Sequence, residues 1–144
     1  MPFSELGDYV DWGLLGLRVT IAAIFIVHGW PKLTKSKEMG AGMAQMGGGM
    51  SSGAASTFML VTGMIEVTGA ALLIAGALTQ VAAAVLAVIM VGAIGLKIAM
   101  MKAPFTAMET TGWEFDLILL AALLLLLVIG AGDLALMPST VVVS

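Results

Sequence analysis

The chain contains no cysteine, one histidine and one tyrosine, and charged residues make up only 10% of its 144 positions. Without cysteine, disulfides, thiolate nucleophiles, iron–sulfur ligation and cysteine-based zinc sites are excluded within this chain. One imidazole cannot supply two histidine ligands to a haem. Soluble domains carry about a quarter of charged residues. Here charge is scarce, hydrophobic residues reach 60% and mean hydropathy is +1.11, so lipid is the expected solvent. A net charge of −3 with no clustered basic face argues against nucleic acid as a partner.

What fills the chain is apolar sequence in runs. Four of them, about 13–31, 56–78, 80–101 and 112–131, approach the ~20 residues that a helix rising about 1.5 Å per residue needs to cross hydrocarbon. The expectation is an all-α fold, an integral membrane four-helix bundle forming one domain over 1–144. A cleaved signal peptide is not expected, because Glu5, Asp8 and Asp11 open the chain and the first run ends in Gly29-Trp30-Pro31-Lys32, which is not a small-residue cleavage site. Only Thr79-Gln80 separates the second run from the third, which implies an antiparallel hairpin. Trp30 and Trp113 fit interfacial anchors.

The first two runs are joined by a Gly/Met-rich stretch, Lys35 to Ser56, expected to be a loop or an interfacial helix. Met39, Met43, Met46 and Met50 recur at steps of four, three and four and would share one helical face. That face suits a membrane surface, and thioethers are also soft enough to hold Cu(I). The glycines of this stretch do not make a dinucleotide fingerprint, because Gln45 stands where a third glycine is required and no strand precedes it. Lys32, Lys35 and Lys37 fall in the first connection and Lys97 and Lys102 around the third. The positive-inside rule then places connections 1–2 and 3–4 in the cytoplasm and both termini outside the cell membrane.

Charge inside the runs is the informative exception. Arg18 lies about five residues into the first run and Glu66 near the middle of the second, where a single charge costs roughly 2.5–3.5 kcal/mol by insertion scales. Thr62, Gly63, Gly69 and Ala70 flank Glu66 at helical spacing and let another helix approach. Arg18 shares a stripe with Leu14, Ile21, Ala22 and Phe25, so an Arg18–Glu66 pair is expected, either as a structural ion pair or as part of a polar cavity. His28 lies about 80° around the helix from Arg18 and reads as an interfacial histidine, a proton relay or a quinone ligand. At the fourth run, Thr111 and Glu114 fit a capping box, with Asp116 also favoured by the helix dipole. Glu114 and Asp116 lie about 200° apart. Glu114, aligned with Ile118 and Ala121, is taken as the inward one, with Lys97 as its counter-ion.

These residues resemble the DoxX/DoxD-like family of small four-helix membrane proteins, over about Leu17 to Asp133. The resemblance is carried by Leu17-Arg18, His28-Gly29-Trp30-Pro31-Lys32-Leu33, Gly63-Met64-Ile65-Glu66-Val67-Thr68-Gly69-Ala70, Gly76-Ala77-Leu78-Thr79, Gly112-Trp113-Glu114-Phe115 and Gly130-Ala131-Gly132-Asp133. It implies recurrent roles for Arg18, Glu66 and Glu114, and membership of a membrane redox assembly such as a thiosulfate:quinone oxidoreductase. The Gly/Met-rich stretch departs from the family's usual apolar connection.

Two functions follow as expectations. In the first, a redox subunit passes electrons from a small sulfur oxyanion to a bound quinone. Arg18, Lys32 and Lys97 then hold the oxyanion or the quinone oxygens, and Glu66, His28 and Glu114 handle protons. In the second, a non-catalytic accessory subunit docks with other membrane subunits or its own copies through Gly63, Gly69, Gly76, Ala83 and Ala87. A transporter ranks behind both, because the runs show neither breaks nor inverted repeats.

Overall fold

A computed structural model describes residues 7, 9–47, 49–107 and 111–138. It contains five helices and, among the described residues, no strand. They are α1 (Val10–Thr34), α2 (Ser36–Gln45), α3 (Ser52–Ala75), α4 (Thr79–Ala99) and α5 (Trp113–Ile129). Three of them, α1, α3 and α4, are long and apolar enough to cross a membrane. The fifth has 17 residues and is apolar on all sides beyond its first turn. In the three long helices only 28–33% of the most apolar window is buried inside the chain. Val88, Val128 and Ile118 are among the side chains pointing outward, so apolar surface faces away from the core, as lipid allows and water does not.

Local chemistry sets the helix ends. The Ser51 hydroxyl accepts from the Ala54 amide at 3.2 Å and starts α3. Gly76, at φ +65° in the left-handed region, stops it, with the Ala77 amide donating to the Leu72 carbonyl at 3.0 Å. The turn is therefore residues 76–78. Thr79 and Gln80, expected between the helices, are instead the first turn of α4, because glycine reaches positive φ without strain and ends the helix earlier than hydropathy implies. The expected capping box is also absent: Gly112 occupies the N-cap of α5 without a side-chain hydrogen bond. Of the two readings for 35–56, a helix forms over Ser36–Gln45, and Met50 lies beyond its end.

Antiparallel α1 and α3 pack closely where glycine meets side chain. A Cβ on Gly63 would lie 2.8 Å from Lys32 Cβ, and one on Gly29 would lie 3.0 Å from Glu66 Cβ. Gly69 faces Leu86 of α4, Gly76 faces Arg18, and Ala83 and Ala87 are buried. The small residues expected to meet a partner subunit thus hold this chain's own helices together. α2 lies on α3, with Gly40 against the Ser56 backbone, and α4 pairs with α5. Leu73, Leu86, Leu123 and Leu126 are fully buried among them.

Beyond α5 the chain turns at Gly130 and Gly132, both at positive φ, and returns across one end of the helices. The Asp133 amide donates to Asp11 Oδ1 at 2.8 Å, and the Leu136 and Met137 amides donate to the Ala75 and Gly76 carbonyls, each at 3.0 Å. Gln80 Nε2 donates to the Leu127 carbonyl at 2.9 Å.

Candidate functional site

Gly29 sits against Glu66, and this contact fixes the register of α1 on α3. Eleven residues back along α1 lies Arg18. The same distance forward along α3 from Glu66 reaches residue 77, and Arg18 Nη1 indeed lies against Gly76. Arg18 and Glu66 are thus separated by about three turns, roughly 16 Å of axial rise, and the expected pair does not form. The fully buried Arg18 donates through Nη2 to the Leu134 carbonyl. Its Nε and Nη1 have no hydrogen-bond partner among the described residues.

Lys32, one turn beyond Gly29, takes the place expected for Arg18. Its ammonium contacts Glu66 Oε1 at 2.5 Å, with the Glu66 side chain 2% exposed and that of Lys32 20%. Glu66 Oε2 is enclosed beside Gly29 without a hydrogen-bond partner among the described residues. A second pair joins α4 to α5, where Lys97 Nζ lies 2.6 Å from Asp116 Oδ2. The same ammonium donates to the Gly112 carbonyl at 3.3 Å and to Thr111 Oγ1 at 3.4 Å.

Asp116, not Glu114, is therefore the inward carboxylate and the partner of Lys97. Asp116 lies on the buried line of Leu119, Leu123 and Leu126, while Ile118, expected to share an inward face with Glu114, is 67% exposed. Glu114 Oε2 is instead enclosed against Gly112 beside the Phe105 carbonyl. The sequence signal for Asp116 was its i, i+3, i+7 relation to those leucines, hidden because leucine surrounds the whole helix.

Both ion pairs border one partly open cavity of about 440 Å³ lined by residues of α1, α3, α4 and α5. Its wall is mainly apolar, with Phe25, Ile89 and Leu119 among the lining residues. His28 stands at its exposed side, its ring tilted 46° to that of Phe115 with centroids 6.0 Å apart. Of the residues singled out from sequence, His28, Lys32, Glu66 and Lys97 meet at this cavity and Arg18 and Glu114 do not. Two ammonium groups and two carboxylates leave its wall without net charge when all four are ionised. The lysines can donate to a carbonyl oxygen, and Glu66 Oε2 is an acceptor still without a donor.

No curated protein and no solved structure matches the chain. The sequence profile of DoxX matches residues 13–102, which takes in most of α1, all of α2 to α4 and both lysines of the cavity. A match over more than half of its length identifies the chain as a member of the DoxX family.

Proposed function

We propose that this chain is a multi-pass subunit of a membrane redox complex and that its cavity takes the headgroup of a quinone. On this reading α1, α3, α4 and α5 form a four-helix bundle in the bilayer. The lysine-bearing end faces the cytoplasm and both termini lie outside. The observation that carries the proposal is one apolar cavity of about 440 Å³ bordered by two ion pairs and a histidine. That size and lining are those of a site for a small, mostly apolar molecule fixed by a few polar groups.

A bound quinone would supply two-electron, two-proton chemistry. Lys32 and Lys97 would orient its carbonyl oxygens. Glu66 would accept a hydrogen bond, or a proton, at Oε2, and His28 would pass protons between the cavity and water. Asp116 replaces Glu114 in this set and holds Lys97 in position. The charge balance favours an uncharged headgroup over a sulfur oxyanion, because each ammonium already has a carboxylate to neutralise it. With no cysteine and one histidine in the sequence, electrons are expected to arrive through a partner subunit.

The test is purification in mild detergent, alone and with co-purifying subunits, followed by mass spectrometry of extracted quinones and titration with decylubiquinone. Retained quinone, with titration weakened by Asp116→Asn, is the expected outcome. A chain that retains no quinone and passes no electrons to the analogue, alone or with its partners, refutes the proposal.

A further inference from the structure

Beside the ion-pair cavity, at the same end of the helices, six methionines line a second cavity of about 300 Å³. Met39 and Met43 come from α2, Met46 from the residue that caps it, Met59 from α3, and Met100 and Met101 from the two residues just after α4. They span more than sixty positions of sequence, yet their side chains border one space. Met50, expected to share a face with the first three, is not in the lining.

Methionine in a core is ordinarily a flexible filler of irregular gaps. Here six of them, from three separate stretches of the chain, border one space. The lining has no carboxylate, imidazole or hydroxyl side chain, and a hard cation such as Mg²⁺ or Ca²⁺ would find no ligand oxygens among its side chains. What the wall offers is thioether sulfur, a neutral, soft donor that selects Cu(I). Met43, Met59 and Met100 are half-buried and come from α2, α3 and the residue capping α4, while Met39, Met46 and Met101 are more exposed. Such an arrangement would offer three deeper thioethers, with the exposed rim as the way in.

We propose that this methionine-lined cavity is a binding site for Cu(I), independent of the quinone reading of its neighbour. Thioethers carry no proton to lose, so affinity at this site does not follow pH as it does with thiolate or imidazole ligands.

The full-length chain in mild detergent is titrated with Cu(I) under anaerobic conditions in competition with bicinchoninate, and with Ag(I) as a probe that keeps its oxidation state. The expected result is about one Cu(I) per chain, an all-sulfur first shell by X-ray absorption, and an affinity equal at about pH 5.5 and 7.5 once the competitor's own titration is removed. Met43→Leu/Met100→Leu conserves volume and is expected to weaken binding by roughly tenfold or more. Met64→Leu, on an exposed face outside the cavity, is expected to leave it unchanged. Helical circular dichroism and thermal midpoints confirm that each variant is folded. Failure to hold Cu(I) against the competitor, a nitrogen-containing shell, or a folded double variant that binds like the unaltered chain overturns the proposal.

Discussion

The Lys32–Glu66 pair predicts an asymmetry between its two halves. Glu66 is 2% exposed at its side chain and Lys32 is 20% exposed, so Lys32→Met strands a buried carboxylate, whereas Glu66→Gln leaves an ammonium that can still turn toward water. Removing one member of a buried pair costs about 3–5 kcal/mol. The partial exposure of Lys32 puts the expected loss for Lys32→Met near the lower bound, about 3 kcal/mol, and that for Glu66→Gln below it. At about 2–4 °C per kcal/mol for a chain of this size, Lys32→Met lowers the thermal midpoint by about 6–12 °C. The double variant Lys32→Met/Glu66→Met removes both charges, keeps the Cβ of residue 66 against Gly29, and regains most of that loss, since apolar replacement of a buried pair is often neutral. Scanning fluorimetry in one detergent, at a fixed heating rate, measures all four proteins. A Lys32→Met chain as stable as the parent, or a double variant no better than Lys32→Met alone, refutes the reasoning.

Further substitutions test the packing and the cavity. Gly63→Ala places a Cβ 2.8 Å from Lys32 Cβ and 2.9 Å from the Gly29 carbonyl, so α1 and α3 move apart at a cost of about 1–3 kcal/mol in the same thermal assay. Gly92→Ala meets nothing and leaves the midpoint equal or higher, alanine being the better helix former by about 1 kcal/mol. Asp116→Asn releases Lys97 and weakens decylubiquinone binding by about tenfold, a loss of the size expected for one charged contact, whereas Glu114→Gln, outside the cavity, keeps binding within about twofold. Arg18→Met leaves quinone titration unchanged but frees the Leu134 carbonyl, so limited proteolysis cuts the 130–138 segment faster than in the parent.

Helix-forming runs were legible because hydropathy needs only length, and the four apolar runs expected from sequence correspond to α1, α3, α4 and α5 with ends displaced by up to about four residues. Contacts that depend on where a return segment lies were not legible. Nothing in the sequence assigned a contact to residues 132–138, which follow the last apolar run. Yet they supply the carbonyl that meets Arg18 and the amides that meet Asp11, Ala75 and Gly76. Helical periodicity also fails as a guide to facing in α5. Leucine lines both its buried and its outward sides, so no polar stripe marks which carboxylate turns inward.

Register explains why His28, Lys32, Glu66 and Lys97 were picked out from sequence and meet at one cavity, yet Arg18 and Glu66 were paired wrongly. Depth estimated from the run boundaries sets Arg18 opposite residues 69–73, one to two turns from Glu66, close enough that a pair between the two deep charges was a reasonable expectation. The glycines decide otherwise. Gly29 and Gly63 let α1 and α3 approach closely, because a Cβ would lie 3.0 Å from Glu66 Cβ at the first and 2.8 Å from Lys32 Cβ at the second, and that contact brings Lys32 to Glu66 and sends Arg18 to Gly76. The motif His28-Gly29-Trp30-Pro31-Lys32 therefore acts as one unit: Gly29 sets the approach, Lys32 neutralises the carboxylate and His28 borders the cavity so formed. Substituting Gly29 is accordingly expected to disturb the cavity although Gly29 carries no side chain to line it. With a Cβ 3.0 Å from Glu66 Cβ and 3.2 Å from its Oε2, Gly29→Ala shifts the carboxylate against Lys32. Decylubiquinone titration then weakens while helix content by circular dichroism is retained. Unchanged binding in a folded Gly29→Ala chain would separate the register from the site and remove the glycine from this account.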